Sequence, residues 1–262
     1  MIFFLTTRFG RHTVDEYLAW KGAPAREFLK PVTYAQAART WGKTDPPPGV
    51  YIFADLERLS PEAQQGAERL WERLQKDPER WLTVNRPGGT LRRLELLRRL
   101  HQAGINRHRA WPLSEAPPPD VRFPVFLRVA DDHRGARTGL LRDRGELEGA
   151  AAALRRKGTD LSGWIGCEYA GTVRPDGLHA KYAAFRVEGD IYPRGILFAA
   201  RWQVKYPERF GEGLLTEEWD YGRTNPHADT LRRVFELAGA DFGRVDYGLD
   251  PEGRVSVWEI NT

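Results

Sequence analysis

The chain has 262 residues, and its 40 Lys and Arg residues outnumber its 36 Asp and Glu residues, which gives a net charge of +4 and a pI near 9.2. No apolar run approaches the roughly 20 residues that a membrane-spanning helix needs, and residues 1–5 lack the basic leader of a signal peptide, so we expect a cytoplasmic protein with no membrane partner. The single Cys167 excludes an internal disulfide and a thiolate zinc site.

The first hundred residues alternate strand-like and helix-like segments, which is the pattern of an α/β layer fold. A buried strand is predicted at residues 2–6, and further strands are predicted at 49–54 and 81–84. Helices are predicted to begin within residues 13–20 and to cover residues 61–74 and 91–104. Ser60 suits the N-cap of the second helix and Pro61 its first turn, and Thr90 is the expected cap of the third.

A proline-rich stretch at residues 112–124 cannot sustain a helix or a central strand, so it marks a domain boundary. We expect an N-terminal α/β domain at residues 1–112 and a C-terminal domain at 113–262, with α+β subdomains at about 120–170 and 171–262. Within the second domain we predict strands at 123–129, 164–169, 180–187 and 191–199, helices at 146–156 and 227–238, and an irregular stretch at 206–226.

The last residues are predicted to form a β-hairpin, with strands at 245–249 and 254–261 on either side of a turn sequence. Strand alternation puts Glu259 and Asn261 on one face together with Val255 and Val257. An even-length turn would place Asp246 on that same face, opposite or diagonal to Glu259. Three oxygen-bearing side chains would then converge, as Mg²⁺ prefers. The alternative is an ordinary solvated strand end.

Asp246-Tyr247-Gly248 followed by Glu259-Ile260-Asn261 resembles the metal-binding end of the ATP-grasp superfamily, which includes carboxylate–amine ligases such as glutathione synthetases. The resemblance implies a small N-terminal α/β domain followed by two α+β subdomains that enclose a nucleotide cleft. It also implies ATP and Mg²⁺ as cofactors, with the metal held by Asp246, Glu259 and Asn261.

Two further segments fit this resemblance. The strand that contains Arg128 is similar to the one that carries a basic residue, usually Lys, toward the nucleotide phosphates. Arg keeps the positive charge but differs from Lys in geometry. The following loop, residues 131–139, takes the place of the glycine-rich loop over the phosphates, although it is poorer in glycine. Its backbone amides and Arg134 or Arg137 would cover the phosphates, and the alternative is an ordinary polar surface loop.

The resemblance also assigns the nucleotide contacts on the later strands. Glu168 and the neighbouring Tyr169 match the hinge strand that receives the adenine amino group. Lys181 and Arg186 lie on the strand that carries a cation toward the phosphates or the substrate. These two residues have opposite strand parity, so only one should face the cleft, and Arg186 is preferred because it matches the family's arginine. Lys205 is a further candidate phosphate contact.

The implied reaction is phosphorylation of a carboxylate by ATP and attack of an amine on the acyl phosphate, with Arg128 and Arg186 stabilising the transferred phosphoryl charge. A second hypothesis is a nucleotide-binding protein that has lost ligase activity, because Arg128 replaces Lys and the loop is poor in glycine. A third, suggested by the pI, is a nucleic-acid-binding protein, which we rank last because the basic residues alternate with acidic ones.

The partners implied are small-molecule carboxylate and amine substrates, and the sequence leaves a homo-oligomer open. Arg8, Arg11 and His12 directly follow the first strand. Loops after strands in α/β domains often contact ligands, so this trio is a candidate acceptor-binding group.

Overall fold

The N-terminal unit is a parallel sheet packed against three helices. The computed structural model describes residues 1–262. The strands pair in the order β2, β1, β3, β4, and all pairs are parallel. They are β1 (Ile2–Thr6), β2 (Leu29–Thr33), β3 (Gly49–Phe53) and β4 (Trp81–Val84). The helices are α1 (Arg8–Ala19), α2 (Tyr34–Trp41) and α3 (Pro61–Leu74). The three predicted strands and the helix capped by Ser60 are confirmed.

Strand β2 and helix α2 were not predicted. Strand β2 was missed because it contains Pro31, and proline disfavours a central strand. Since β2 lies at the edge of the sheet, the missing N–H of Pro31 breaks no hydrogen bond between strands. Helix α2 follows directly and begins with a capping box between Thr33 and Gln36, a recognisable sequence signal. Helix α1 also begins earlier than expected, because Thr7 caps it.

The middle unit is a small antiparallel sheet with strand order β5, β7, β6. Its strands are β5 (Ala110–Pro112), β6 (Val125–Val129) and β7 (Trp164–Glu168). Helix α4 (Arg93–Gln102) precedes β5 in the chain, and helix α5 (Arg144–Arg156) lies between β6 and β7. Thr90 does not cap α4, since its hydroxyl donates to the carbonyls of Arg86 and Gly239 instead.

The C-terminal unit is an antiparallel sheet with strand order β11, β10, β8, β9. Its strands are β8 (His179–Val187), β9 (Asp190–Ala199), β10 (Gly243–Leu249) and β11 (Val255–Asn261). Its helices are α6 (Glu212–Thr224) and α7 (Ala228–Ala238). The irregular stretch predicted at 206–226 is wrong, because α6 lies there. This helix buries only Tyr221 and leaves Leu215 and Trp219 exposed, so its sequence lacks a clear apolar stripe.

Helix α4 joins the units. Its Leu96 and Leu100 belong to the core of the C-terminal sheet, and Leu97 packs with Ala110 and Cys167 of the middle sheet. Strand β5 also pairs in the middle sheet, although it precedes residue 113. Helix α4 and strand β5 therefore pack with the middle and C-terminal sheets. The domain limits at residues 112 and 113 stay a prediction. No helix is long and apolar enough to cross a bilayer.

Candidate functional site

A cavity of about 570 Å³ lies where the three sheets meet. The N-terminal sheet contributes the residues that follow β1 and β3, the middle sheet contributes β6 and β7, and the C-terminal sheet contributes one face of β8, β10 and β11. In a parallel sheet of order β2, β1, β3, β4, the carboxyl ends of β1 and β3 flank the point where the strand order reverses, which is a common ligand position. Eight of the predicted site residues line the cavity: Arg128, Glu168, Tyr169, Lys181, Lys205, Asp246, Glu259 and Asn261.

The terminal hairpin brings Asp246 and Glu259 together, but through a β-bulge and not through the expected even-length turn. Asp246 lies directly opposite Glu259. Leu249 pairs with Val255 across a loop with an odd number of residues, so the even-length turn is wrong. A β-bulge at Trp258 adds one residue to β11, and Asp246 and Glu259 therefore lie on the same face of the sheet despite the odd loop length. For the same reason Val255 and Val257 face the core, and only Glu259 and Asn261 face the cavity.

Asp246 is held by two cations. Its side chain is 3% exposed. Lys181 Nζ donates to Oδ2 over 3.1 Å, and Arg244 donates from Nε to Oδ1 over 2.8 Å and from Nη2 to Oδ2 over 3.3 Å. Both carboxylate oxygens are therefore occupied, and the group of three side chains carries a net positive charge toward the cavity.

Glu259 is also paired, but on one oxygen. The Arg93 guanidinium donates to Oε2, and Arg128 Nη2 lies 3.9 Å from the same atom. Burial and the neighbouring Arg128 lower the pKa of Arg93 to about 9. Arg93 also donates to the carbonyls of Ala130 and Asp132, so it ties the start of the 131–139 loop to the hairpin. Sequence reasoning missed Arg93, because it lies among the other arginines of an amphipathic helix.

The oxygen donors on this wall fit a divalent cation of the Mg²⁺ type. Glu259 Oε1 accepts no hydrogen bond, and Asn261 pairs with Arg244 across the strands on the same face. The Asn261 side chain makes no hydrogen bond, so its Oδ1 atom is free to act as an oxygen ligand, and its buried Nδ2 atom has no partner. Mg²⁺ commonly uses one or two protein carboxylates, with waters and substrate phosphates as its other ligands.

The expectation that Arg186 faces the cleft in preference to Lys181 is wrong. On β8, Lys181 points to the cavity with a side-chain exposure of 16%, and Arg186 has the opposite parity. The Arg186 guanidinium donates to the carbonyl of Ala240 over 3.1 Å. The bulge between β8 and β9 adds its residue to β9, so β8 keeps a regular alternation.

Glu168 is engaged by the segment that precedes β6. Arg109 donates to it from its backbone, Nε and Nη2, at 2.7 to 3.0 Å, and Arg122 donates from its backbone and Nη2, at 2.8 and 3.1 Å. Burial raises the pKa of Glu168, but these hydrogen bonds outweigh burial and leave it below its usual value. The side chain therefore fastens the proline-rich segment to β7. It has no free oxygen for an adenine amino group.

An aromatic group forms the wall next to Glu168. Trp202 lies 5.2 Å from Phe126 and 5.6 Å from Tyr169, measured between ring centroids. The Tyr169 backbone N–H donates to the carbonyl of Pro124, and its hydroxyl lies 3.0 Å from His179 Nδ1. The apolar ring faces offer a stacking surface for a nucleotide base.

The 131–139 loop covers part of the cavity with residues other than its two candidate arginines. Gly135 and Ala136 line the cavity, whereas Arg134 and Arg137 do not. Arg137 pairs with Asp132. Lys205 Nζ donates to the carbonyl of Arg134, so this lysine holds the loop at the cavity rim.

The N-terminal edge of the cavity is built from other residues than the predicted trio. Arg11 binds Asp15 and Gln36, His12 lies beside Glu16, and neither these two nor Arg8 line the cavity. The lining residues here are Thr6, Gly10, Asp55, Glu57, Arg58 and His133.

Two of these lining residues have shifted pKa values. Burial raises the pKa of Glu57, and burial together with Arg58 lowers the pKa of His133 to about 4. This end of the cavity thus holds a neutral imidazole beside two acidic side chains.

Comparison with known proteins identifies the fold. No protein-family model matches the sequence, and no curated protein matches it. Among solved structures, an N5-carboxyaminoimidazole synthase from Aspergillus clavatus, in complex with ADP and 5-aminoimidazole ribonucleotide, matches with a TM-score of 0.55 and 10% identity over 99% of this chain and 69% of that one. The synthetase from Staphylococcus aureus, complexed with ADP, matches with a TM-score of 0.57 and 12% identity over 99% and 69%. The Thermotoga maritima N5-carboxyaminoimidazole ribonucleotide synthetase matches with a TM-score of 0.52 and 14% identity over 99% and 67%.

These synthetases are ATP-grasp enzymes, so the chain has the ATP-grasp fold that the terminal motif predicted. The particular structures that it resembles are N5-carboxyaminoimidazole ribonucleotide synthetases.

Proposed function

We propose that this protein is an ATP-dependent ligase that joins a carboxylate to an amine through an acyl phosphate. The observation that carries the proposal is the group of cations in the cavity: Arg93, Arg128, Lys181 and Arg244 surround the facing carboxylates of Asp246 and Glu259. Four cations against two carboxylates leave a net positive wall, which suits the phosphates of a nucleotide. The ATP-grasp fold, shared with synthetases solved with ADP, supports the same reading.

The nucleotide would lie with its base against the aromatic wall at Trp202 and its phosphates against Arg128 and Lys181. Arg128 is largely buried, and a buried cation stabilises the charge of a transferred phosphoryl group more than an exposed one does. The backbone at Gly135 and Ala136 would exclude water from the phosphates. These residues bind, orient and neutralise, so the proposed reaction needs no protein nucleophile.

Asp246, Glu259 and Asn261 are the residues on this wall that can offer oxygen to Mg²⁺. When bound, the ion would neutralise phosphate oxygens and orient the terminal phosphoryl group. The N-terminal edge, with Asp55, Glu57 and His133, would receive the acceptor substrates. Arg58 lies 3.5 Å from Asp55 Oδ1 and 3.7 Å from Glu57 Oε1, so this edge would offer a cation as well as two carboxylates to a polar substrate.

The ion pairs on Asp246 and Glu259 favour a second candidate, a protein that binds the nucleotide without ligase turnover. In that case the carboxylates would serve only to balance the four cations. The two candidates differ in product formation and agree on nucleotide binding.

Thermal unfolding with ATP, in Mg²⁺ and in EDTA, tests the nucleotide site. A ligand at about a hundred times its dissociation constant adds about 2.7 kcal/mol to the free energy of unfolding. No stabilisation by ATP in either condition would exclude both candidates.

Turnover is tested with a panel of carboxylic acids, ATP and hydroxylamine. An acyl phosphate reacts with hydroxylamine to give a hydroxamate and inorganic phosphate, and ADP forms in equal amount. Hydroxamate formation that depends on both ATP and the carboxylate supports the ligase. Nucleotide binding without ADP formation across the panel would favour the binding protein.

A further inference from the structure

Polar contacts attach one face of helix α6 to the rest of the C-terminal unit. Glu217 pairs with Arg174 over 2.7 Å, and Glu218 Oε1 accepts from a backbone N–H of β9 over 3.3 Å. The Tyr221 hydroxyl donates to the carbonyl of Ala183 over 2.9 Å. Residues 217, 218 and 221 are neighbours on the helix surface, so this face of α6 is committed to the fold.

The opposite face of α6 points to solvent, although it carries large apolar side chains. Leu215 is 56% exposed and Trp219 is 69% exposed. Tyr206 and Phe210, which precede the helix, are 77% and 73% exposed. Phe210, Leu215 and Trp219 line one open groove. A helix on a globular protein normally turns its apolar side chains inward, and adjoining exposed apolar side chains mark an interaction site.

The same exposed face carries an unpaired charge at each end. Glu212 is the first residue of α6 and Arg223 is the last but one, and neither takes part in an ion pair within the chain. Glu212, Leu215, Trp219 and Arg223 follow one another at intervals of three or four residues, so they form one stripe along the helix. The stripe begins acidic, continues apolar and ends basic over about 16 Å.

This stripe is complementary to a reversed copy of itself. When two copies of α6 lie antiparallel, Glu212 of each chain faces Arg223 of the other, and Leu215 packs beside the other chain's Trp219. Contacts about a two-fold axis require a self-complementary patch of this kind. Tryptophan and arginine are also the side chains that most often dominate binding energy at interfaces.

We propose that the exposed face of α6 binds a second copy of this chain as an antiparallel, two-fold symmetric helix pair. The surface shares no residue with the cavity, so this proposal is independent of the proposed function. A standard interface buries about 800 Å² per partner, which is more than one helix supplies. Tyr206 and Phe210 widen the contact, and we expect a reversible dimer with a micromolar dissociation constant.

Exchanging the charges tests both the partner and its orientation. Glu212→Arg gives a stripe with two basic ends, and Arg223→Glu gives one with two acidic ends, so a dimer of either variant alone brings like charges together at both ends. An equimolar mixture pairs each Arg with a Glu. By sedimentation equilibrium, we expect the dimer dissociation constant to rise on the order of tenfold in each variant alone and to return to within about threefold of the parent value in the mixture.

Glu148→Arg and Arg155→Glu are the matched controls. Both residues lie exposed on α5 without an ion pair, and the charge changes are the same. These variants should dimerise like the parent, alone and mixed. Glu212 and Arg223 also suit the dipole of their own helix. A weakened helix would lower dimerisation in the mixture as well as in the single variants, so recovery in the mixture identifies pairing between chains.

A third variant covers a folding failure of the charge variants, which circular dichroism would reveal. Trp219→Ala removes a side chain that is mostly exposed, so it should fold like the parent and weaken the dimer at least about tenfold. Unchanged dimerisation of this variant would overturn the proposal. A parent that stays monomeric at about 100 μM would also overturn it, since the face would then serve a different partner or none. A mixture of the charge variants that dissociates as readily as each variant alone would contradict the antiparallel pair.

Discussion

The two faces of the C-terminal sheet have opposite character although they share the same strands. The core face carries Tyr182, Val245, Tyr247 and Val257, all buried in the largest apolar cluster of the protein. The cavity face carries the charged and amide side chains of the neighbouring positions: Lys181, Arg244, Asp246, Glu259 and Asn261. Alternation along β8 and β10 and the bulge at Trp258 produce this separation.

This separation implies that stability and ligand binding can be changed independently. Apolar burial on one face stabilises the sheet, whereas the opposite face concentrates buried charge, which contributes little net stability and is available for binding. Substitutions on the two faces should therefore change different measured quantities.

The largest effect is expected on the core face. Phe235 of α7 is fully buried against it. Phe235→Ala should lower the free energy of unfolding by about 3–5 kcal/mol, through lost apolar burial and the cavity left behind. Urea unfolding measures this change, and the dissociation constant of ADP for the folded variant should stay near the parent value.

Leu237→Ala is the matched control, since Leu237 is exposed on the same helix. A surface substitution of this kind should change stability by less than about 0.5 kcal/mol. A weakened ADP affinity in Phe235→Ala, measured where the variant is folded, would contradict the independence of the two faces.

On the cavity side, His108 should make the free energy of unfolding depend on pH. This buried ring lies 3.1 Å from Ser256 of β11, and burial lowers its pKa to about 4. Above pH 6.5 the ring is neutral in the folded and the unfolded chain. Between pH 6.5 and 4 the unfolded chain binds a proton that the folded chain does not, so stability falls as the pH falls, by about 3 kcal/mol in total.

His108→Gln removes this titration, so its unfolding free energy should fall less steeply than that of the parent between pH 6.5 and 4. The comparison uses the slope rather than the absolute stability, because loss of the hydrogen bond to Ser256 lowers stability at every pH. Equal slopes in parent and variant would show that His108 is not the group that titrates.

The sequence predicted most of the fold because strands, caps and the terminal motif are local signals. The strands at the start of the chain and the Ser60 cap depend on neighbouring residues only. Helix α6 was missed because it buries a single residue, and strand β2 because Pro31 is tolerated only at a sheet edge, which is a property of the whole sheet.

The site was predicted less fully, since its contacts come from distant parts of the chain. The Arg93–Glu259 pair and the Arg109–Glu168 pair join residues far apart in sequence, and nothing local marks one arginine among many as the partner. Which side chains of β11 face the cavity depends on a β-bulge that has no recognisable signal in the sequence. Strand parity correctly indicated that only one of Lys181 and Arg186 faces the cavity, but the family pattern selected the wrong one.

Lys181 and Arg186 give the smallest predicted effect and a direct test of the cavity face. Both lie on β8, and Lys181→Met and Arg186→Met each remove one positive charge, so long-range electrostatic changes are matched. Lys181 contacts Asp246 inside the cavity, so its loss should weaken ADP binding about tenfold, or about 1.4 kcal/mol. Arg186 binds a backbone carbonyl outside the cavity, so its loss should change ADP affinity by less than about twofold. Calorimetry at one ionic strength measures both, and an equal weakening by the two variants would mean that general charge, rather than the face of β8, governs nucleotide binding.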